Sequence, residues 1–155
     1  MIRKQPAPPR TQRRFASPWI ELSYLCKKIS YWWYVQGQKA RAERYLDRLK
    51  RVLRELPENN LAIVREEGLA LLYEFQGEIG EAIAHRRREI KLIERLHREA
   101  QSPRYDECTR AYMLRDRDTN VLQARRTLVE ALTKMKAHEP SLRSPGRNGR
   151  NSPSN

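Results

Sequence analysis

Residues 61 to 100 read LAIVREEGLALLYEFQGEIGEAIAHRRREIKLIERLHREA. Apolar residues recur at helical spacing on both sides of Gly77, so the stretch predicts two antiparallel helices joined at a glycine. A shift of 40 residues lays Trp33, Val35, Gln36, Gly37, Ala42, Val52 and Leu56 over Tyr73, Phe75, Gln76, Gly77, Ala82, Leu92 and Leu96. Matches in kind at one offset predict an internal repeat of a helical pair.

Working outward, Ser17 and Pro18 are a helix start, a hydroxyl able to cap free N–H groups followed by a proline suited to the first turn. The first helix is expected to run to about residue 36, with the stripe Trp19, Leu22, Cys26, Ile29 and Trp33 facing a core. Gly37 is expected to end it in the left-handed conformation. The next helix, about residues 38 to 56, turns Ala42, Tyr45, Leu46, Leu49, Val52, Leu53 and Leu56 inward, and Pro57, Asn59 and Asn60 break it. A third, looser pair is expected at 105 to 117 (Tyr105, Cys108, Ala111, Tyr112) and 119 to 137 (Val121, Ala124, Leu128, Leu132, Met135), in the manner of a terminal cap. Residues 1 to 16 and 138 to 155, rich in Pro, Arg, Ser and Asn, have too little apolar surface to fold and predict disordered basic ends around one domain at 17 to 137.

The fold class expected is therefore all-α: a short right-handed stack of about three antiparallel helical hairpins, with a compact helical bundle as the alternative. With 155 residues the chain suits one such domain. It carries 32 Lys and Arg against 19 Asp and Glu, for a net charge of +13. Residues 1 to 14 hold five of these cations and no acid, and about half of the excess lies in the two ends. Such ends attract nucleic acid, acidic proteins or anionic surfaces. Cys26 and Cys108 are far apart and form no CxxC pair, which predicts neither a disulfide framework nor a zinc site and suggests a reducing, cytoplasmic setting. No apolar run approaches the length of a membrane span, and prolines 6, 8 and 9 oppose an amphipathic targeting helix.

The pattern Ala70, Tyr73, Gly77, Ala82, Ile83 and Ile90, preceded by Ser30, Trp33, Gly37, Ala42, Leu46 and Leu49, resembles the tetratricopeptide repeat. Small residues let paired helices approach, and large ones fill the gap between units. Two departures stand out: Arg86 and Glu89 occupy positions where that family usually has a large apolar residue and an alanine, and the spacing of 40 exceeds the usual ~34. At those two residues the outer packing is expected to weaken.

The resemblance implies a concave groove lined by the first helix of each pair. On this sequence it would comprise Tyr24, Lys27, Tyr31 and Tyr34, then Val64, Glu67, Leu71 and Glu74. Tyrosines offer contact area at little entropic cost and Lys27 could meet a carboxylate, so the function expected is non-enzymatic capture of a partner's peptide or helix, as an interaction scaffold. The alternative for the tyrosines is packing on a neighbouring unit or on the N-terminal arm. A second candidate is a pair of basic ridges, Arg41, Arg44, Arg48 and Arg51 on one helix and Arg88, Lys91, Arg95 and Arg98 on another, which would hold phosphates without reading sequence. Against it, Asp47 can pair with Arg51 and Glu94 with Arg98, as on an ordinary solvated helix surface.

No nucleophile motif, phosphate-binding glycine loop or HExxH is present, so no catalytic residue, cofactor or metal is expected. Glu94 and His97 make one ExxH, but a di-iron bundle needs a second copy. A third class of function is an enzyme subunit whose chemistry lies in a partner. Apolar edges at the ends of a short stack could also be closed by self-association.

Overall fold

The structure is a computed structural model that describes residue 15, residues 17 to 56 and residues 62 to 138. The class is all-α: among the described residues every regular element is helical. Helix α1 spans Pro18–Ser30 and continues as one widened π turn, Tyr31–Val35. Then come α2 Lys39–Glu43, α3 Leu46–Glu55, α4 Ala62–Gln76, α5 Ile79–Ala100, α6 Glu107–Met113 and α7 Thr119–His138.

The starts and stops follow local chemistry. Ser17 Oγ accepts the Ile20 N–H at 3.3 Å and caps α1, with Pro18 at its first position. Gly37 and Gly77 take φ of +63° and +76°, the left-handed conformation that closes a helix and reverses the chain. Asp106 caps α6, accepting the Thr109 N–H at 2.7 Å, and these bonds hold its carboxyl below the usual range. The helix expected over residues 38 to 56 is interrupted at Arg44 and Tyr45 and so becomes α2 and α3. The break expected at Pro57, Asn59 and Asn60 lies outside the described residues, as do nearly all of the two basic ends.

Packing builds on these elements. Helix α1 lies against α3 and α4, α3 against α4, and α4 runs along α5 after the tight turn at Gly77. One apolar cluster joins Leu22, Leu25, Cys26 and Ile29 of α1 to Leu49, Val52 and Leu53 of α3 and Leu71 of α4. Gly68 sits at this three-helix junction, where a Cβ would meet Leu22 Cδ1 at 3.0 Å, so its missing side chain sets how closely α4 approaches. A smaller cluster joins Ile79 and Ile83 of α5 to Leu132 of α7, with Leu128 and Val129 packed on it.

The last pair departs from the first two. Helix α6 touches α5 and buries no residue of its own, and Cys108, Ala111 and Tyr112 are exposed. Helix α7 lies along α5 instead of running beside α6. Its inner face is also rotated from the expected stripe. Leu122 and Leu132 are buried and Arg125 and Val129 half-buried at spacings of 3, 4 and 3, while Ala124 and Met135 are exposed. A charged residue occupies the middle of the true stripe, which a search for apolar spacing alone steps over.

Candidate functional site: a groove floored by buried ion pairs

The expected weak point at Arg86 and Glu89 is instead the most deeply buried polar part of the molecule. Both residues are 0% exposed. On α5 they fall on the core stripe itself, Ile79, Ala82, Arg86, Glu89 and Ile93, so the helix turns them inward along with its apolar residues. Arg86 Nε donates to Glu74 Oε1 at 3.0 Å and Arg86 Nη1 to Glu89 Oε2 at 2.8 Å. Arg125 of α7 donates to Glu89 Oε1 at 2.8 Å and to Glu67 Oε1 at 3.1 Å. Arg117 adds a contact to Glu67 Oε2 at 3.4 Å. Three carboxylates from α4 and α5 thus meet three guanidiniums from α5, α7 and the segment before α7. The cluster satisfies the rule that buried charges are paired, with one donor, Arg86 Nη2, lacking an acceptor.

Burial disfavours the charged form of Arg86, but Glu89, Glu74 and Glu67 outweigh it and hold its pKa above the ordinary value. Burial raises the Glu74 carboxyl, and Arg86 only partly offsets this. The Cys26 thiol, also buried, is pushed well up, mainly by loss of solvent, and is therefore a poor nucleophile.

Above the cluster lies a groove of about 600 Å³ between α1 with its π turn on one side and the start of α7 on the other. Lys27, Tyr31 and Tyr34 line the first wall, Arg115, Asp116 and Asn120 the second, and Glu67 with Arg117 and Arg125 the floor. The π turn contributes directly. The Gln36 N–H reaches the Tyr31 carbonyl five residues back at 3.0 Å, and in this widened turn Tyr31 and Tyr34 both border the groove while Trp33 packs on Phe75 with ring centroids 4.0 Å apart. The Tyr34 hydroxyl donates to Glu74 Oε2, joining wall to cluster. His97 Nε2 bonds the Arg117 carbonyl and so ties the segment before α7 to α5. Lys27 stands 3.8 Å from Asp116 across the groove, and Arg115 is exposed without a carboxylate among the described residues.

Of the residues expected to line a groove, Lys27, Tyr31, Tyr34 and Glu67 come together in this one. Four do not. Leu71 is fully buried in the apolar cluster, because α4 points that position at α1 and α3. Glu74 lies beneath the wall within the ion cluster. Tyr24 packs on Phe15 with ring centroids 5.1 Å apart, on a part of α1 away from the groove. Val64 lines a separate, almost wholly apolar pocket of about 310 Å³ with Trp19, Ile20 and Ile63.

The basic ridges are more varied than their spacing suggests. Arg48 is half-buried and bonds Glu21 at 3.1 Å, linking α3 to α1, and Arg95 pairs with Glu99 at 3.1 Å. Arg41 lies over the Trp32 ring at 4.6 Å. Arg44, Arg51, Arg88, Lys91 and Arg98 are exposed. Glu94 is taken by Arg126 of α7 at 2.9 Å and not by Arg98, because α7 brings a cation within reach.

Missed by sequence reasoning were Arg115, Arg117 and Arg125, which lie in the last pair and supply most of the groove's positive charge. Two signals pointed inward: opposite charges at Arg86 and Glu89 on a 3, 4 apolar stripe, and Arg125 on the stripe of α7. Among the described residues no helix is long and apolar enough to cross a membrane. No protein-family profile, curated protein or solved structure matches the chain.

Proposed function

We propose that the protein is a non-enzymatic interaction module, built on a tetratricopeptide-like plan in its first two helical pairs, that captures a partner's peptide in the groove between α1 and α7. The observation that carries this reading is the convergence of Tyr31, Tyr34, Lys27 and Arg115 around an open groove of about 600 Å³ whose floor is ion-paired. Tyrosines exposed by 44% and 41% supply the contact area typical of peptide sites. The floor charges are already neutralised by one another, so a ligand is recognised by the walls and does not have to break the cluster. The absence of a nucleophile or general-base arrangement in the sequence agrees with a binding role.

A second reading, sequence-independent nucleic-acid binding, is favoured by one observation: Arg44, Arg51, Arg88, Lys91 and Arg98 present exposed cations on a chain of net charge +13. The two readings separate in a nuclease-treated pull-down with the full chain, eluted in steps of rising salt. Peptide capture predicts a protein retained at high salt and lost with Tyr31→Ala plus Tyr34→Ala while helicity is unchanged. Retention unaffected by that double substitution overturns the groove. Nucleic acid released at moderate salt, and lost with Arg51→Glu plus Arg88→Glu, establishes the second reading.

A further inference from the structure

The apolar pocket and the tyrosine groove share Ser23 and Arg117, so they adjoin along α1 and one extended ligand could reach both. The two ends differ in chemistry. One end offers Trp19, Ile20, Ile63 and Val64, with Ile20 still 53% exposed. The other offers the exposed wall cations Lys27 and Arg115, with Asp116 3.8 Å from Lys27, while the floor cations Arg117 and Arg125 are already paired with Glu67 and Glu89. Resting on the reading of the groove as a peptide site, the geometry points to a particular ligand: an extended acidic segment with one aliphatic side chain seated at the Ile20 end and its carboxylates at the Lys27 and Arg115 end.

Helical rise sets the spacing. Seven residues of regular α1 separate Ile20 from Lys27, about 10.5 Å at the rise of an α-helix. An extended chain covers that distance in about three residues. The recognised pattern is therefore an aliphatic residue with Asp or Glu three positions away. A basic segment, such as this chain's own acid-free residues 1 to 14, is opposed by the exposed wall cations Lys27 and Arg115. A nucleic-acid strand would leave the aliphatic end without a partner, since that end has almost no polar surface.

The test is selection of phage-displayed random peptides on the immobilised full chain, repeated on Ile20→Asp, on Lys27→Glu plus Arg115→Glu, and on Tyr31→Ala plus Tyr34→Ala. Ile20, Lys27 and Arg115 are all exposed, so these changes spare the core. On the unmodified chain, the expected enrichment is Leu, Ile or Val three positions from Asp or Glu, a readout that needs no variant. Ile20→Asp should remove the aliphatic preference and keep the acidic one, and the charge reversal should favour Lys and Arg in its place. The best peptide should bind each variant at least about tenfold more weakly. Enrichment of acidic peptides with no aliphatic requirement, still dependent on Tyr31 and Tyr34, overturns this inference and leaves the groove reading standing. Enrichment indifferent to the tyrosines, or none above the bare support, overturns both.

Discussion

Arg86 is the largest of the fully buried side chains among the described residues, and its neighbours explain why it is tolerated there. A lone guanidinium in that position would be prohibitively costly, whereas one bonded to Glu74 and Glu89 is held in place. Removing one partner is the damaging change. Arg86→Met should destabilise the fold by about 3–5 kcal/mol, because Glu74 and Glu89 are then left buried without their shared cation. Adding Glu74→Gln and Glu89→Leu should recover a good part of the loss in chemical denaturation. If Arg86→Met alone costs under about 1 kcal/mol, the cluster is not buried as described. The same residues govern pH dependence. With Glu74 raised above its ordinary value of 4.5, the folded state holds a proton that the unfolded chain has already released. Stability from this group therefore falls as pH rises from about 4.5 through the raised value. The urea midpoint followed upward from that pH should decline in the native chain, and Glu74→Gln should flatten that part of the profile.

At the scale of elements, the close approach of α4 to α1 and α3 depends on Gly68. Gly68→Val should destabilise by about 1–3 kcal/mol or more, since its side chain must displace Leu22, Leu49 and Leu53 from a filled junction. An unchanged thermal midpoint would contradict that packing. The glycine turns, the Ser17 cap and the inward faces of α1, α3 and the first part of α5 were legible in the sequence, because each rests on local chemistry or on a plain apolar period. The groove was half legible. Lys27, Tyr31 and Tyr34 stand at a spacing that a helix reader finds, but the groove they border faces α7 and not, as expected, the first helix of the next pair, which contributes Glu67 alone. The opposite wall was hidden for a physical reason: α7 packs through a stripe with Arg125 at its centre, and the arginine reaches a carboxylate on α4 that is distant in sequence. Ion pairing can replace apolar periodicity as the inward signal, and only the fold reveals which charges meet. The π turn was equally invisible, as nothing in Tyr31–Val35 marks a bond reaching five residues back.

Across the described residues, one apolar cluster joins α1, α3 and α4, a second joins α5 and α7, and the ion pairs link α4, α5 and α7. The groove lies over those ion pairs, and the net positive charge of the chain would bring an acidic partner to it. Charge speeds the approach and the carboxylate contacts add to the grip of the tyrosines, so salt should weaken the bound complex without abolishing it. The most direct test is fluorescence anisotropy of a labelled, selected peptide and of a labelled RNA oligonucleotide, each titrated with the full chain at low and high salt, and repeated with Tyr31→Ala plus Tyr34→Ala. Peptide binding should weaken by less than about tenfold with salt and by at least about tenfold on loss of the two tyrosines. Tighter binding of the RNA, collapsing with salt and indifferent to the tyrosines, would contradict it and move the function to the exposed cations of α2, α3 and α5.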